Sequence, residues 1–143
     1  MRVARLASNP DLPLPERQTA GSAGYDVASA EPDFVLEPGE RRAVGTGLTF
    51  ELPADVEMQV RPRSGLALRH GLMLPNAPGT VDGDYRGELK VIVLNTGTEA
   101  MRIARGDRIA QLVFARVETP TIVESNSLSE SSRGSSGFGS TGR

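Results

Sequence analysis

Ten prolines, scattered from Pro10 to Pro120, constrain this chain most. Proline removes a backbone donor and clashes with the preceding turn of a helix. Few windows between them can hold a long helix, so the fold has to come mainly from strands and turns. Val56, Met58 and Val60 alternate with Glu57, Gln59 and Arg61, the period of a half-buried strand. Leu89 to Leu94 is a short β-branched apolar run and predicts a strand covered on both faces. Ile109 to Val117 reads as a third strand, with Val113, Ala115 and Val117 on one face and Gln111 sharing the face of Ile109 and Val113. Glu37-Pro38-Gly39, Asn95-Thr96-Gly97 and Arg105-Gly106-Asp107 mark turns between such runs. Many short strands punctuated in this way predict an all-β sandwich, barrel or jelly roll. One short helix is predicted over about Ser64–Arg69, capped by Ser64 and followed by Gly71.

At 143 residues the chain is sized for one domain. Residues 1–123 are expected to form it. Residues 124–143 hold eight serines and four glycines, with Leu128 and Phe138 the only large apolar side chains. Such a segment cannot pack a core alone and is expected to be a flexible tail. Sixteen basic against eighteen acidic residues give a net charge of −2, which argues against a general nucleic-acid binder. The chain has no cysteine and one histidine, so thiolate catalysis, Cys-ligated zinc and paired-His metal sites are excluded. No apolar run reaches the ~20 residues of a membrane-spanning helix, and no apolar signal core follows Met1-Arg2-Val3-Ala4-Arg5. A cytoplasmic location is the expectation.

Candidate chemistry concentrates in a few segments. Asn76 to Glu88 is dense in polar groups between two apolar runs and reads as a hairpin-like excursion. Asp82 there suits a general base, but Asp82-Gly83 is also ordinary turn chemistry. Tyr85 suits stacking on a sugar or filling the core, and Arg86 and Glu88 suit a structural ion pair. Arg63 and Ser64 stand at the predicted helix start, where backbone amides and a guanidinium favour an anion, or where serine is simply a cap. Gln111 is read as a satisfied structural amide, His70 as a helix-end residue, and Asp26 as a second carboxylate. Arg133 to Gly142 combines a cation, an aromatic ring, hydroxyls and glycine-freed amides. That mixture suits either a disordered tail or a wrap around a phosphorylated ligand.

Taken in order, these segments closely resemble the five motifs of the homotrimeric dUTPase family. Ala23-Gly24-Tyr25-Asp26 is similar to the first motif. Pro62-Arg63-Ser64-Gly65-Leu66-Ala67 is similar to the second, and Asn76-x-x-Gly79-x-Val81-Asp82-x-x-Tyr85-Arg86-Gly87-Glu88 to the third. Arg105 to Leu112 resembles the fourth and Arg133 to Gly142 the fifth, so the resemblance spans residues 23–142. Each motif alone is weak; the ordered set is specific.

The resemblance implies a jelly-roll subunit in a threefold trimer, with active sites shared between subunits. It implies hydrolysis of dUTP to dUMP and pyrophosphate, which supplies a thymidylate precursor and keeps uracil out of DNA. Asp82 would activate the water that attacks the α-phosphorus. Tyr85 would lie against the deoxyribose and exclude a 2′-hydroxyl. Asn76, with the backbone around Gly79, would read uracil. Arg63, Ser64, Gly65 and Gln111 would hold phosphate oxygens. The C-terminal arm would close over substrate, with Arg133 on the γ-phosphate, Phe138 on uracil, and Gly139, Ser140 and Thr141 as further donors. Magnesium would be held by phosphate oxygens and waters, with Asp26 acting through water.

Two positions depart from the family pattern. Ser136 stands where a second glycine is usual, which predicts weaker arm closure if that backbone is left-handed. Val27 replaces a commoner leucine, a conservative change. The nearest alternative of the same fold is a dCTP deaminase, or a bifunctional deaminase and dUTPase. That chemistry needs a glutamate on the strand after the third motif, where this chain has Ile92. A non-catalytic trimeric scaffold is opposed by the intact Asp82, Tyr85 and Arg133. A single-stranded nucleic-acid binder is opposed by the acidic balance and the 4% aromatic content.

Overall fold

Met58 and Val60 are buried along β6 (Val56–Arg61), with Glu57 and Gln59 only half-covered, as the alternation predicts. The structure, a computed structural model, describes residues 1–136. Among these, β1 (Arg2–Arg5), β2 (Tyr25–Ala28), β3 (Phe34–Leu36), β4 (Arg41–Gly45) and β5 (Leu48–Glu51) precede β6. The helix α1 (Ser64–His70) follows, then β7 (Leu72–Met73), β8 (Gly79–Val81), β9 (Lys90–Asn95), β10 (Met101–Ile103) and β11 (Arg108–Arg116). All strand pairs are antiparallel. They form a four-stranded sheet β2-β11-β6-β8, a three-stranded sheet β4-β9-β7, and the pairs β1-β5 and β10-β3. The class is the predicted all-β, jelly-roll-like one with a single short helix. Its strands lie in separate sheets, not one closed hydrogen-bonded ring, among the described residues.

The sheets share one core. Leu36, Val44, Met58, Val91, Val93 and Leu112, drawn from five strands with two of them from β9, are fully removed from solvent. Burial of this kind is the main stabilising term in a small β domain. Gly39 and Gly106 take φ of 78° and 90° at two of the predicted turns, a backbone that glycine adopts without strain. Asn95 is buried and holds its turn by donating to the carbonyls of Leu36 and Glu99, each at 2.9 Å.

Three local expectations are corrected. On β9, Val91 and Val93 face the core, but Ile92 and Leu94 are only half-covered, so one subunit closes a single face of that strand. On β11, a register shift between Arg108 and Ala110 buries the neighbours Ile109 and Ala110 together. A bulge of this sort resets the alternation. Ile109 joins the core, and Gln111 stays with Val113 on the half-buried face. On α1, Arg63 takes the capping position and Ser64 is the first helical residue, with no side-chain cap. The predicted C-terminal stop holds: Gly71 is left-handed at φ 67° and donates to the Ala67 carbonyl at 3.1 Å.

Residues 76–88 form the long connection between β7 and β9, which pair with each other. This excursion lends β8 to the edge of the other sheet, against β6. After β11 the chain leaves the domain surface. Every described residue from Glu118 to Ser136 is exposed, Ile122 at 95% and Leu128 at 90% included.

Candidate active site

Across the centre of the four-stranded sheet, Asp26 of β2, Gln111 of β11 and Arg61 of β6 stand in one register row. The segment following Arg61 turns into α1 and places Arg63 beside this row. Asp26 forms an ion pair with Arg63, Oδ1 to Nε at 3.3 Å, and accepts a hydrogen bond from Arg108 Nη1 through Oδ2 at 3.1 Å. Arg63 also donates through Nη1 to the Arg108 carbonyl at 2.8 Å. Gln111 donates through Nε2 to the Pro62 carbonyl at 2.9 Å, so the predicted structural amide does fix the entry to the helix. Its side chain lies over Gly24, where a Cβ would overlap Oε1 and come within 3.1 Å of Cδ. Glycine is needed there for space.

Asp26, Arg63 and Gln111, with Ser64, Gly65, Leu66 and Arg69, line a small pocket of about 190 Å³. Asp26 is the only carboxylate on its wall, against Arg63 and Arg69. Arg69 is a site residue that the sequence reading missed. It stands four residues after Gly65 on α1, and its Nη2 would be 3.0 Å from a Cβ at Gly65. The spacing of four, one helical turn, is the signal that could have found it. The balance of charge makes the pocket anion-seeking, with planar guanidinium forks suited to phosphate oxygens. A larger cleft of about 800 Å³ opens between α1 and residues 97–103, shares Arg63, Leu66 and Arg69 with the pocket, and adds Arg108 to its own wall. His70 lies on its wall as the exposed last residue of α1, the predicted helix-end position.

The third-motif residues gather elsewhere. Asp82, Tyr85, Thr80, Val81 and Ile92 line a pocket of about 300 Å³, with Ala43 and Lys90 at its margin. Asp82 is exposed immediately after β8, and its carbonyl accepts from Tyr85 N at 3.2 Å. Turn and exposed carboxylate therefore coincide at one residue. Tyr85 is 47% exposed and does not fill the core. Its Oη donates to the Glu88 carbonyl at 3.1 Å. Asn76 is exposed before β8, and its Nδ2 would be 3.0 Å from a Cβ at the buried Gly79.

The predicted Arg86–Glu88 ion pair is not formed. Arg86 instead braces the turn through the carbonyls of Gly83 and Tyr85, at 2.8 and 2.9 Å. Glu88 accepts from Gly47 N at 2.9 Å and lies 3.7 Å from Lys90 Nζ.

The strand register separates the two groups within one subunit. Val81 lies opposite Met58, so Asp82 continues toward the start of β6, whereas Gln111 lies opposite Arg61 at its end. From the level of Glu57 to Arg63 is six residues of extended chain, roughly 20 Å at ~3.3 Å per residue. Asp26, Arg63, Ser64, Gly65 and Gln111 are brought together, and Asp82 and Tyr85 form the second group. Gly79 pairs with Val60, one step from the Arg61 row, with Asn76 beside it. Arg133 belongs to neither, and its Nε donates to the Ser136 carbonyl at 2.8 Å within the tail. Phe138, Gly139, Ser140 and Thr141 lie outside the described residues. Among the described residues no three His, Cys, Asp or Glu side chains cluster as metal ligands.

Comparison with known proteins gives these pockets a context. The chain is 50% identical over 143 residues to the deoxyuridine 5′-triphosphate nucleotidohydrolase of Thermoanaerobacter sp. (strain X514), covering 99% of this chain and 97% of that one. It is 52% identical to the protein of the same name from Methylocella silvestris, covering 98% and 89%. Among solved structures, the Staphylococcus bacteriophage 80alpha dUTPase with dUpNHpp superposes with a TM-score of 0.90 at 29% identity, covering 99% of this chain and 98% of that one. The dUTPase family model matches residues 11–142, and with it both pockets and the tail: this chain belongs to the dUTPase family.

Proposed function

We propose that the protein hydrolyses dUTP to dUMP and pyrophosphate at sites assembled between copies of the chain. One observation carries the reading. A cationic pocket suited to phosphates and a nucleoside-sized pocket with an exposed carboxylate sit on the same subunit about 20 Å apart. A triphosphate held at Arg63 and Gln111 therefore cannot present its α-phosphorus to the Asp82 of the same subunit. A neighbouring copy can supply that residue. The half-covered Ile92 and Leu94, with the exposed Met73 paired to Leu94, leave apolar surface on β9's outer face for such an assembly. A homotrimer, as the motif pattern implies, is the assembly proposed.

In this reading Arg63, Ser64, Gly65 and Gln111 hold phosphate oxygens, and Asp26 holds Arg63 in place at the pocket. Asp82 accepts a proton from a bound water as the water oxygen attacks the α-phosphorus. The bond from that phosphorus to its bridging oxygen breaks, and pyrophosphate leaves. Tyr85 offers its exposed ring to the deoxyribose, where a 2′-hydroxyl would have no room. Asn76 and the strand backbone at Gly79 read the edge of uracil, since a pocket of fixed donors and acceptors rejects a base that reverses them.

Magnesium fits this donor set as an ion that arrives with the triphosphate. The one carboxylate beside the phosphate pocket, Asp26, is already engaged by two arginines, which suits contact through water and not a protein cage. When bound, the ion would neutralise phosphate charge and help the leaving group. Residues 1–123 form the domain and 124–143 the arm. The arm would close over a site with Arg133 on the γ-phosphate, Phe138 on uracil, and Gly139, Ser140 and Thr141 as donors. A tail whose described residues are all exposed supports that role. The cytoplasm is the proposed compartment; no helix among the described residues is long and apolar enough to cross a membrane.

The deaminase alternative finds no support. The relatives are named as dUTP nucleotidohydrolases, and the position where deamination needs a glutamate places Ile92 on the wall of the nucleoside pocket. The test is product analysis with magnesium, offering dUTP, dCTP, UTP and dTTP separately. Pyrophosphate from dUTP alone, with no ammonia, is the expected result. Ammonia from dCTP, or no product from any nucleotide, would overturn it.

A further inference from the structure

Gly87 holds no charge and touches no pocket, yet its missing side chain decides where Tyr85 lies. Gly87 is not among the glycines with positive φ, so its backbone suits any residue. What a side chain would change there is space. A Cβ built on Gly87 overlaps the Tyr85 Oη, falls 2.5 Å from Cζ and 2.9 Å from Cε2. No unstrained contact is that short. The phenol end of the ring lies directly over Gly87 and is tethered at its far end by the Oη bond to the Glu88 carbonyl at 3.1 Å. Tyr85 is 47% exposed, and that bond is the one side-chain hydrogen bond its hydroxyl makes among the described residues.

From this contact we infer that Gly87 is the positioning residue for sugar selection: it lets the Tyr85 ring lie flat against the wall of the nucleoside pocket. The inference rests on the reading of Tyr85 as the residue that excludes a 2′-hydroxyl. An alanine at 87 would meet only the far end of a flexible side chain, with no backbone atom as close. Rotation of Tyr85 relieves that overlap, so the fold survives. The rotated ring gives up its bond to Glu88 and opens the space beside C2′ of the sugar. Selectivity between a deoxyribonucleotide and a ribonucleotide should suffer first.

The experiment measures kcat/KM for dUTP and for UTP in the full-length protein, in Gly87→Ala, in Tyr85→Ala and in the double variant. The expected result is a dUTP-to-UTP ratio about tenfold lower or more in Gly87→Ala, equivalent to about 1.4 kcal/mol of discrimination. The double variant should match Tyr85→Ala, because both changes remove one contact surface. A wild-type ratio in Gly87→Ala, beside a lowered ratio in Tyr85→Ala, overturns the role of Gly87 and leaves the Tyr85 reading standing. A wild-type ratio in both overturns both. A substrate-free measurement covers a variant that does not fold. In the wild-type protein the Gly87 α-protons should be displaced upfield in the NMR spectrum by the Tyr85 ring current, and undisplaced signals would overturn the placement.

Discussion

Asp26 and Arg63 meet at 3.3 Å, carboxylate Oδ1 to guanidinium Nε, with the Asp26 side chain only 12% exposed. The same carboxylate holds Arg108 at 3.1 Å. One partly buried anion thus holds Arg63, on the wall of the phosphate pocket, and Arg108, on the wall of the adjoining cleft. Asp26→Asn leaves the shape intact and removes the charge that aims them. Charge-assisted bonds of this kind contribute about 1.5–3 kcal/mol each. The variant is expected to lose about tenfold or more in kcat/KM for dUTP, mainly through a higher KM, with a smaller change in melting temperature. Steady-state kinetics and thermal unfolding on one preparation check it. An unchanged KM would show that Arg63 and Arg108 need no such anchor.

The tail makes a separate prediction. All described residues from 118 to 136 are exposed, so the described part of the segment 133–143 adds nothing to the core. The truncated protein should keep the melting temperature and oligomeric state of the full chain and lose efficient dUTP hydrolysis. A truncated enzyme as fast as the full chain would make the arm irrelevant to the reaction.

Asp33 offers a pH test away from the site. The backbone N–H of Arg105 donates to Oδ1 at 2.9 Å and the Arg102 guanidinium pairs with Oδ2, and both hold the carboxyl below the ordinary aspartate value. A lowered folded-state pKa contributes stability that is present above the unfolded value, about pH 4, and is lost as pH falls through the folded value. Asp33→Asn should therefore be slightly less stable than the wild type at pH 7. The two should converge in acid. The difference is small because the group is solvent-exposed. Denaturant unfolding at pH 7 and pH 3 measures it; a gap that widens in acid would contradict the sign.

Much of the fold was legible because its signals are local. Val56, Met58 and Val60 repeat at the strand period, and Gly71 stops α1 where a left-handed residue was expected. The misreadings share a physical origin in contacts made far along the chain. The bulge that buries Ile109 beside Ala110 arises where β11 shifts register against β2. Arg86 turns to the carbonyls of its own loop, and Glu88 is taken by the Gly47 amide, forty-one residues away. Asn9 is buried and donates to the Thr46 carbonyl at 2.7 Å, thirty-seven residues away, a contact that no local pattern announces.

For the site, the resemblance carried both the motif order and a site shared between subunits. The residues alone left Asp82 and Arg63 ambiguous, because spacing does not say which strands pair. The pairing of β6 with β8 and β11 sets the two toward opposite ends of β6.

That separation gives the most direct test of the account. Asp82→Asn should bind dUTP and turn it over with most activity lost, and Arg63→Ala should fail at the phosphate pocket. The two variants are then unfolded, mixed and refolded together, and dUTP hydrolysis is compared with each variant refolded alone. If sites are shared, hybrid assemblies join the intact Asp82 of one subunit to the intact Arg63 of another, and substantial activity returns. A mixture no more active than its separate components would contradict a site built between subunits.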